Sequence, residues 1–330
     1  MAASQGQQAR SFAQNGEAIS WRGTRCSQRT GNGVVTRASK DSTAGRRYLD
    51  LQRMARQTDR PTDELLQLYA LECFLDRLGN SAFAEHFILK GGVLLAALDA
   101  RRPTRDIDLS ALALDNDLST ILDVVRQIAA IKLDDGLQFE TGKATAEAIR
   151  EDDEYSGVRI TLVGMLSRAI IGIHVDVNFG DPIWPEPQTV RLPRLLAGEL
   201  IVRGYPLEMV LAEKIVTAIA RGTANTRWRD FVDIYTLVQK HDVKGKTLRK
   251  SLLRVAEFRD VALTSLKLVL AGYAGIGQQR WLAWLKKQRL ESTVPVDFSV
   301  VLELVVTFAD PATAGESAAG TWDSATRRWR

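Results

Sequence analysis

The sequence predicts an α+β fold, in which a small mixed β-sheet domain is followed by a mostly helical C-terminal domain. The segment IIGIHVDVNF at 170–179 alternates apolar and polar residues, as a half-buried strand does. Beyond Pro206 the apolar residues follow a helical period almost throughout. We therefore expect a tail at 1–48, an α/β domain at 49–200 and a helical domain at 201–330, with a cleft between the two domains.

The first 48 residues are predicted to be a disordered basic tail. They are rich in Gln, Ser, Gly and Arg and hold eight basic residues against Glu17 and Asp41, a net charge of +6. Since the whole chain carries +4, residues 49–330 carry −2. A segment with so little apolar surface cannot offset the entropy lost on ordering. Its arginines could contact RNA loosely, or the segment could be an appendage without a role.

The first folded elements are predicted from the period of the apolar residues and from the Pro and Gly residues at helix ends. Helices are expected at 46–58 and 61–78, because Pro61 fits a first turn and Gly79 a stop. A short strand, Phe87–Lys90, should run into Gly91 and Gly92 and then into a short helix. The following pattern predicts a strand at Asp106, a helix at 118–132, and strands at 137–140, 158–163 and 169–179.

A helix expected at 206–220 places Lys214 in its inward-facing row. A buried ammonium needs an anion, which a triphosphate or a nearby acidic residue would supply. The alternative is a lysine that extends from the edge of the row to water.

The next helix carries Asp230 and Asp233 on one surface, directly after Arg229. The ordinary explanation is that Asp230 favours the helix N-terminus and that Asp233 pairs with a surface base. At the C-terminal end, Trp322 and Trp329 are expected to pack back onto the body because each ring is largely apolar.

Between Lys90 and Asp108 the chain reads KGGVLLAALDARRPTRDID. Without Cβ atoms, Gly91 and Gly92 would let backbone N–H groups approach a phosphate. Strand alternation puts Asp106 and Asp108 on one face, and two hard oxygen ligands suit Mg²⁺. The spacing indicates a nucleotidyl-transfer site, although each feature alone also occurs by chance.

Two-metal phosphoryl chemistry would need a third carboxylate. Asp176 is the best candidate, on a strand expected to run antiparallel to that of Asp106. His174 shares its polar face and is more often a satisfied neighbour than a ligand.

Composition excludes several other classes. Cys26 and Cys73 support neither a disulfide framework nor a zinc site, and three histidines are too scattered for a metal cluster. No stretch approaches the roughly 18 apolar residues of a membrane helix. We expect a cytoplasmic protein without a membrane partner.

These residues resemble the nucleotidyltransferase toxins of the AbiEii and MenT type, within the polymerase-β-like nucleotidyltransferase superfamily. The resemblance covers about residue 65 to the C-terminus and is carried by FILKGGVLLAALDARRPTRDIDLS, LAEKIVTAIAR and RWRDFVDIY. It implies a toxin of a toxin–antitoxin system that uses Mg²⁺ or Mn²⁺ and an NTP. It further implies nucleotide addition to the 3′ end of tRNA, a block of aminoacylation and translation, and a cognate antitoxin.

The resemblance also implies residue roles. The catalytic candidates are Asp106, Asp108, Asp176, Lys214 and Asp230, of which the first three would also bind metal. The NTP-binding candidates are Lys90, Gly91, Gly92, Arg105, Lys214 and Arg229. The arginines that could follow an RNA backbone are Arg101, Arg102, Arg105, Arg221, Arg227 and Arg229, unless they serve only the nucleotide or surface ion pairs.

Thr104 is a candidate regulatory site. By resemblance, its phosphorylation by a kinase-like antitoxin would place negative charge beside the metal carboxylates and silence the toxin. The alternative is that its hydroxyl hydrogen-bonds the turn that leads into the strand.

Three other functions fit part of the pattern. A nucleotidyltransferase could act on a small molecule or a protein. Asp-x-Asp also serves metal-dependent glycosyl transfer, which does not require the diglycine turn. A non-catalytic nucleic-acid-binding remnant could retain the fold, but would more readily have lost an acidic ligand.

Overall fold

The structure is a computed structural model and describes residues 39–151, 154–316 and 320–330. Helix α1 (Thr43–Thr58) begins inside the range predicted as a tail. Ser42 caps it by accepting a hydrogen bond from the Gly45 N–H at 3.0 Å, and Tyr48 is buried. The end of the tail at residue 48 was therefore placed too late. The disorder predicted for residues 1–38 lies outside the described residues.

The N-terminal half follows the predicted order of elements. Helix α2 (Thr62–Gly79) starts directly after Pro61, and β1 (Phe87–Lys90) leads into the short helix α3 (Gly91–Leu94). The later elements are β2 (Asp106–Ala111), α4 (Leu118–Ala129), β3 (Leu137–Phe139), β4 (Thr145–Glu151), β5 (Glu154–Leu166), β6 (Ala169–Phe179), β7 (Gln188–Pro193) and β8 (Glu199–Gly204).

These strands form one mixed sheet of eight strands, in the order β3-β5-β6-β2-β1-β8-β7, with β4 paired to β5. The mixed sheet is confirmed, but it is larger than expected because β4, β7 and β8 were not predicted as strands. Strand β6 runs parallel to β2, so the predicted antiparallel neighbour was wrong. The tight turn at Ser167 and Arg168 makes β6 antiparallel to β5, and the path of the chain from β2 through α4 and β3 to β5 makes β6 parallel to β2.

The alternation of β6 separates the core from the site. Ile173, Val175 and Val177 are fully buried in the hydrophobic core, whose other members include residues of β2 and α2. Asp176 and His174 point to the opposite face of the strand. The apolar face thus fixes the register, and the polar face is left for chemistry.

The C-terminal half is mostly helical, as predicted. It contains α5 (Leu207–Arg221), α6 (Trp228–Val238), β9 (Val243–Lys244), α7 (Gly245–Phe258), α8 (Leu266–Val269), α9 (Tyr273–Gln288), α10 (Phe298–Ala314), β10 (Thr321–Asp323) and β11 (Arg328–Trp329). Strands β9, β10 and β11 form a small second sheet.

The C-terminal tryptophans pack onto the body, as predicted. Trp322 is fully buried and donates its Nε1–H to the Val238 carbonyl at 2.7 Å. Trp329 donates to the Phe308 carbonyl at 3.0 Å. The predicted domain boundary between residues 200 and 201 falls inside β8. In the described residues, no helix is both long and apolar enough to cross a membrane.

Candidate functional site

The three predicted metal-binding carboxylates lie on two neighbouring strands. Asp106 and Asp108 share one face of β2, and Asp176 of β6 stands directly across from Asp108 in the parallel register. His174 stands across from Asp106 and its Nδ1 lies 3.1 Å from the Thr161 hydroxyl. The topology therefore brings the three aspartates together on one face of the sheet.

The diglycine turn packs against the Asp108 carboxylate. Gly91 has φ +65°, and a Cβ added there would lie 1.8 Å from Asp108 Oδ2. The Gly92 N–H donates to the same carboxylate. The turn was predicted to present its N–H groups to a phosphate, but here the Gly92 N–H supports the acidic residue. Because Gly91 has no side chain, the Asp108 carboxylate can pack directly against the turn.

The surroundings of Asp108 disfavour the ionised form of its carboxyl. Burial raises the pKa of its carboxyl, and the negative charges of Asp176 and Asp106 raise it further, against the opposing effect of Lys90. A cation bound at the Asp108 carboxylate would offset this cost.

Asp176 is held by an arginine that the sequence analysis did not name. Arg159 of β5 lies across from it in the antiparallel register and donates two hydrogen bonds, at 2.8 and 2.7 Å. This bidentate pair raises the pKa of the Arg159 guanidinium, mainly through the hydrogen bonding. The sequence contained the information for this pairing, because a two-residue turn at Ser167 and Arg168 places Arg159 across from Asp176.

Lys214 lies between two carboxylates of α6. Its Nζ donates to Asp230 at 2.8 Å and to Asp233 at 2.7 Å. Arg102 donates from Nε to Asp233 Oδ1 at 2.9 Å and from Nη2 to Asp233 Oδ2, which Lys214 also contacts, at 3.3 Å. Asp233 has only 2% of its side chain exposed, so the expectation of a surface partner was wrong. These two cations and two carboxylates form a buried cluster. It connects the segment before β2, which carries Arg102, to α5 and α6.

The cluster balances burial against attraction. Burial raises the pKa of Asp230, but the charge and hydrogen bond of Lys214 outweigh it, and the pKa is lowered. Burial lowers the pKa of Lys214, but Asp233 and Asp230 raise it above its usual value. Both residues are therefore charged at neutral pH.

Lys90, a predicted NTP ligand, is buried between carboxylates. Its Nζ donates to Asp181 and lies 3.6 Å from Glu213 Oε1. Glu213 also lies 3.8 Å from Arg259. Asp181 and Glu213 were not predicted as part of the site, and only the chain path after β6 places Asp181 beside Lys90.

The remaining predicted residues surround this centre. Arg105 and Arg229 are exposed to solvent. Thr104 is half-buried, with its hydroxyl 3.4 Å from the Asp106 carbonyl, and a Cβ on Gly92 would lie 2.7 Å from that hydroxyl. Arg101 is engaged with Glu72 at 2.8 Å.

The donor set suits a divalent cation held by few protein ligands. In the described ranges, no group of three or more His, Cys, Asp or Glu residues is arranged to hold a metal ion. Mg²⁺ commonly uses one or two carboxylates and completes its shell with water and substrate phosphates. Asp106 and Asp108 match that requirement, while Asp176 is occupied by Arg159.

A mixed sheet that carries paired aspartates beside a diglycine turn is the arrangement of a nucleotidyl-transfer enzyme. The family model described as "Nucleotidyl transferase AbiEii toxin, Type IV TA system" matches residues 73–303, and the chain belongs to this family of nucleotidyltransferase toxins. No curated protein matches the chain significantly.

Two solved structures from Helicobacter pylori are similar in fold. JHP933 has 12% identity and a TM-score of 0.46 over 77% of this chain and 94% of its own. A protein provisionally described as a nucleotidyltransferase has 12% identity and a TM-score of 0.44 over 73% and 94%.

Proposed function

We propose that this toxin transfers a nucleotide from an NTP to the 3′ end of tRNA, which blocks aminoacylation and translation. The observation that carries the chemistry is the Asp106–Asp108 pair on β2, backed by the diglycine turn at Gly91. The preference for RNA rests on the resemblance to tRNA-modifying toxins and on two exposed arginines, Arg105 directly before Asp106 and Arg229 directly before Asp230.

Asp106 and Asp108 are the residues that would hold Mg²⁺ or Mn²⁺, which would neutralise charge on the NTP phosphates. Lys214 is assigned to the β- and γ-phosphates, and Lys90 and Gly92 to the same pocket. In the described state Lys214 is balanced by Asp230 and Asp233, so a phosphate would have to compete with one of these carboxylates.

Asp176 is assigned as the group that accepts the proton of the attacking hydroxyl. Its carboxylate is engaged by Arg159, whose side chain is 37% exposed and therefore within reach of a substrate phosphate. We infer that a phosphate that draws Arg159 away frees Asp176 as the base. The exchange keeps one anion on the guanidinium at every stage.

Regulation is proposed at Thr104 and through a cognate antitoxin. The Thr104 hydroxyl is close to Gly92 and to the Asp106 carbonyl, so a phosphate there would crowd the carboxylates and repel a triphosphate. The proposed compartment is the cytoplasm, where NTP and tRNA are available.

The experiment that tests the acceptor is incubation with each α-labelled NTP, Mg²⁺ and total tRNA. We expect label in tRNA, and none when the 3′ ribose has first been oxidised by periodate. Label in a small molecule or a protein would move the function to the alternative acceptors. A folded protein that labels no acceptor would support the non-catalytic remnant.

A further inference from the structure

A row of exposed residues follows one side of α7 beside the candidate site. Lys246, Lys250, Arg254 and Phe258 are spaced four residues apart and are all exposed; we call them the basic track. Over these residues the helix rises about 18 Å. This length is enough to follow several backbone phosphates of one nucleic-acid strand.

The track is held in place by Trp184, in the segment between β6 and β7. Lys250 Nζ lies 3.5 Å from the centroid of the Trp184 ring, and Arg254 Cζ lies 5.0 Å from it. The Ser251 hydroxyl donates to the Trp184 carbonyl at 2.7 Å, which ties the segment to the helix. Two cations are thus positioned by an aromatic ring. In the described part of the chain, neither of them forms an ion pair.

Within residues 39–330, positive charge is concentrated along α7. Residues 244–259 contain six basic residues against Glu257, a net of +5. Residues 1–38 carry five basic residues against Glu17, a net of +4 that equals the charge of the whole chain. Residues 39–330 are therefore neutral in sum, and the +5 segment is a local feature that a polyanion would complement.

The track ends next to the candidate site. A Cβ added at Gly180 would lie 3.6 Å from the Phe258 ring, and Gly180 directly follows β6, the strand of Asp176. Asp181, the next residue, bonds to Lys90, which pairs with Asp108 in the sheet register. Phe258, with 51% of its surface exposed, is therefore the aromatic residue at the end of the track nearest the carboxylates.

We propose that the basic track binds the RNA acceptor and guides its 3′ end into the site. Lys246, Lys250 and Arg254 contact phosphates along one strand, and Phe258 stacks against a base close to the reacting end. Evenly spaced cations that lead to an exposed ring suit a nucleic-acid strand better than an acidic protein, which needs no stacking surface. This inference rests on the proposed function, since it names where that acceptor binds.

The test compares Lys250→Gln/Arg254→Gln with a matched control, Lys286→Gln/Lys287→Gln, which removes two exposed charges from α9. The affinities for total tRNA and for NTP are measured by filter binding over a range of salt concentrations, and label transfer is measured in parallel. We expect at least a roughly tenfold loss of tRNA affinity, with a salt slope lower by about two, only in the track variant. NTP affinity should be unchanged, and the transfer rate should recover at high tRNA concentration.

Phe258→Ala gives a second measurement with little risk to folding, because the ring is half exposed. We expect a loss of at least about fivefold in tRNA affinity. Wild-type affinity in both track variants would overturn the proposal while leaving the proposed function in place. Wild-type protein that binds no tRNA would overturn both. If it binds tRNA through the track but transfers no nucleotide, only the proposed reaction fails.

Discussion

Asp106 and Asp108 are two residues apart but have different surroundings, so their substitutions should act differently. Asp108 is enclosed by the diglycine turn and accepts the Gly92 N–H. Asp106 is partly exposed on the same face of β2 and stands across from His174. Removing Asp106 should therefore affect chemistry with little effect on the fold.

We expect Asp106→Ala to lower nucleotidyl transfer by at least about 100-fold, because charge stabilisation at the phosphates is lost. Thermal unfolding should be nearly unchanged. Asp115→Ala is the matched control, since Asp115 is an exposed carboxylate that follows the same strand. A folded Asp106→Ala protein with full activity would remove this residue from the site.

Asp108→Asn should stabilise the protein while it inactivates it. The folded-state pKa of Asp108 is raised above its usual value, so its ionised form costs stability at neutral pH. The neutral isostere keeps an acceptor for Gly92 and loses the repulsion. We expect a gain on the order of 1 kcal/mol in the free energy of unfolding, measured with EDTA present.

The pH dependence of this gain follows from the sign of the shift. Above the unfolded-state pKa of about 3.9 the unfolded chain ionises more readily than the folded one, so the gain exists there. It should vanish as the pH falls below that value. Asp115→Asn is the control and should show no gain in stability. A loss of stability in Asp108→Asn, in place of the expected gain, would contradict the assigned repulsion.

Lys214→Ala should be strongly destabilising. It leaves Asp230 without its cation and Asp233 with Arg102 alone, and both carboxylates are buried. A loss of about 3 kcal/mol is typical when one partner of a buried pair is removed. The depressed pKa of Asp230 makes its contribution present above about pH 4 and lost on acidification, so the difference from wild type should shrink there.

Lys267→Ala is the control for Lys214, because Lys267 is exposed on α8. Chemical denaturation of both variants provides the measurement. If Lys214→Ala retains wild-type stability, the ammonium does not serve as the balancing charge of the cluster.

Among the strands, the β5–β6 hairpin shows which pairings could be predicted from the sequence and which could not. The alternation of β6 identified Asp176 and its buried neighbours. The register with β5 also followed from the short turn, and it would have paired Arg159 with Asp176. The direction of β6 relative to β2 could not be read locally, because it depends on how the chain returns through α4 and β3.

The start of α1 is a second case. The helix was predicted to start at residue 46, three residues late, and the tail was extended to residue 48 because Arg46 and Arg47 resemble the preceding basic residues. Ser42 is the local signal, as its hydroxyl caps the first turn. We expect Ser42→Ala to lower the free energy of unfolding by about 1 kcal/mol, and Ser42→Asp to retain most of it. Equal stability of Ser42→Ala and wild type would show that the cap is not used.

At the scale of the whole molecule, the site depends on residues from both halves of the chain. Lys90 of β1 meets Glu213 of α5, and Arg102 meets Asp233 of α6. Local patterns identified Lys90, Arg102 and Asp233 but not Glu213, and the pairings are long-range and follow only from the packing of α5 and α6 on the sheet. Asp181 illustrates the limit, since it lies in an irregular segment without periodicity.

The proposed reaction transfers a nucleotidyl group to RNA through the Asp106–Asp108 pair. The most direct measurement supplies the wild-type enzyme with tRNA and one NTP that is labelled either at the α- or at the γ-phosphate. We predict that the α-label enters tRNA, that the γ-label leaves as pyrophosphate, and that Asp106→Ala transfers neither. Transfer of the γ-label to the acceptor, or undiminished α-label transfer by Asp106→Ala, would contradict the claim.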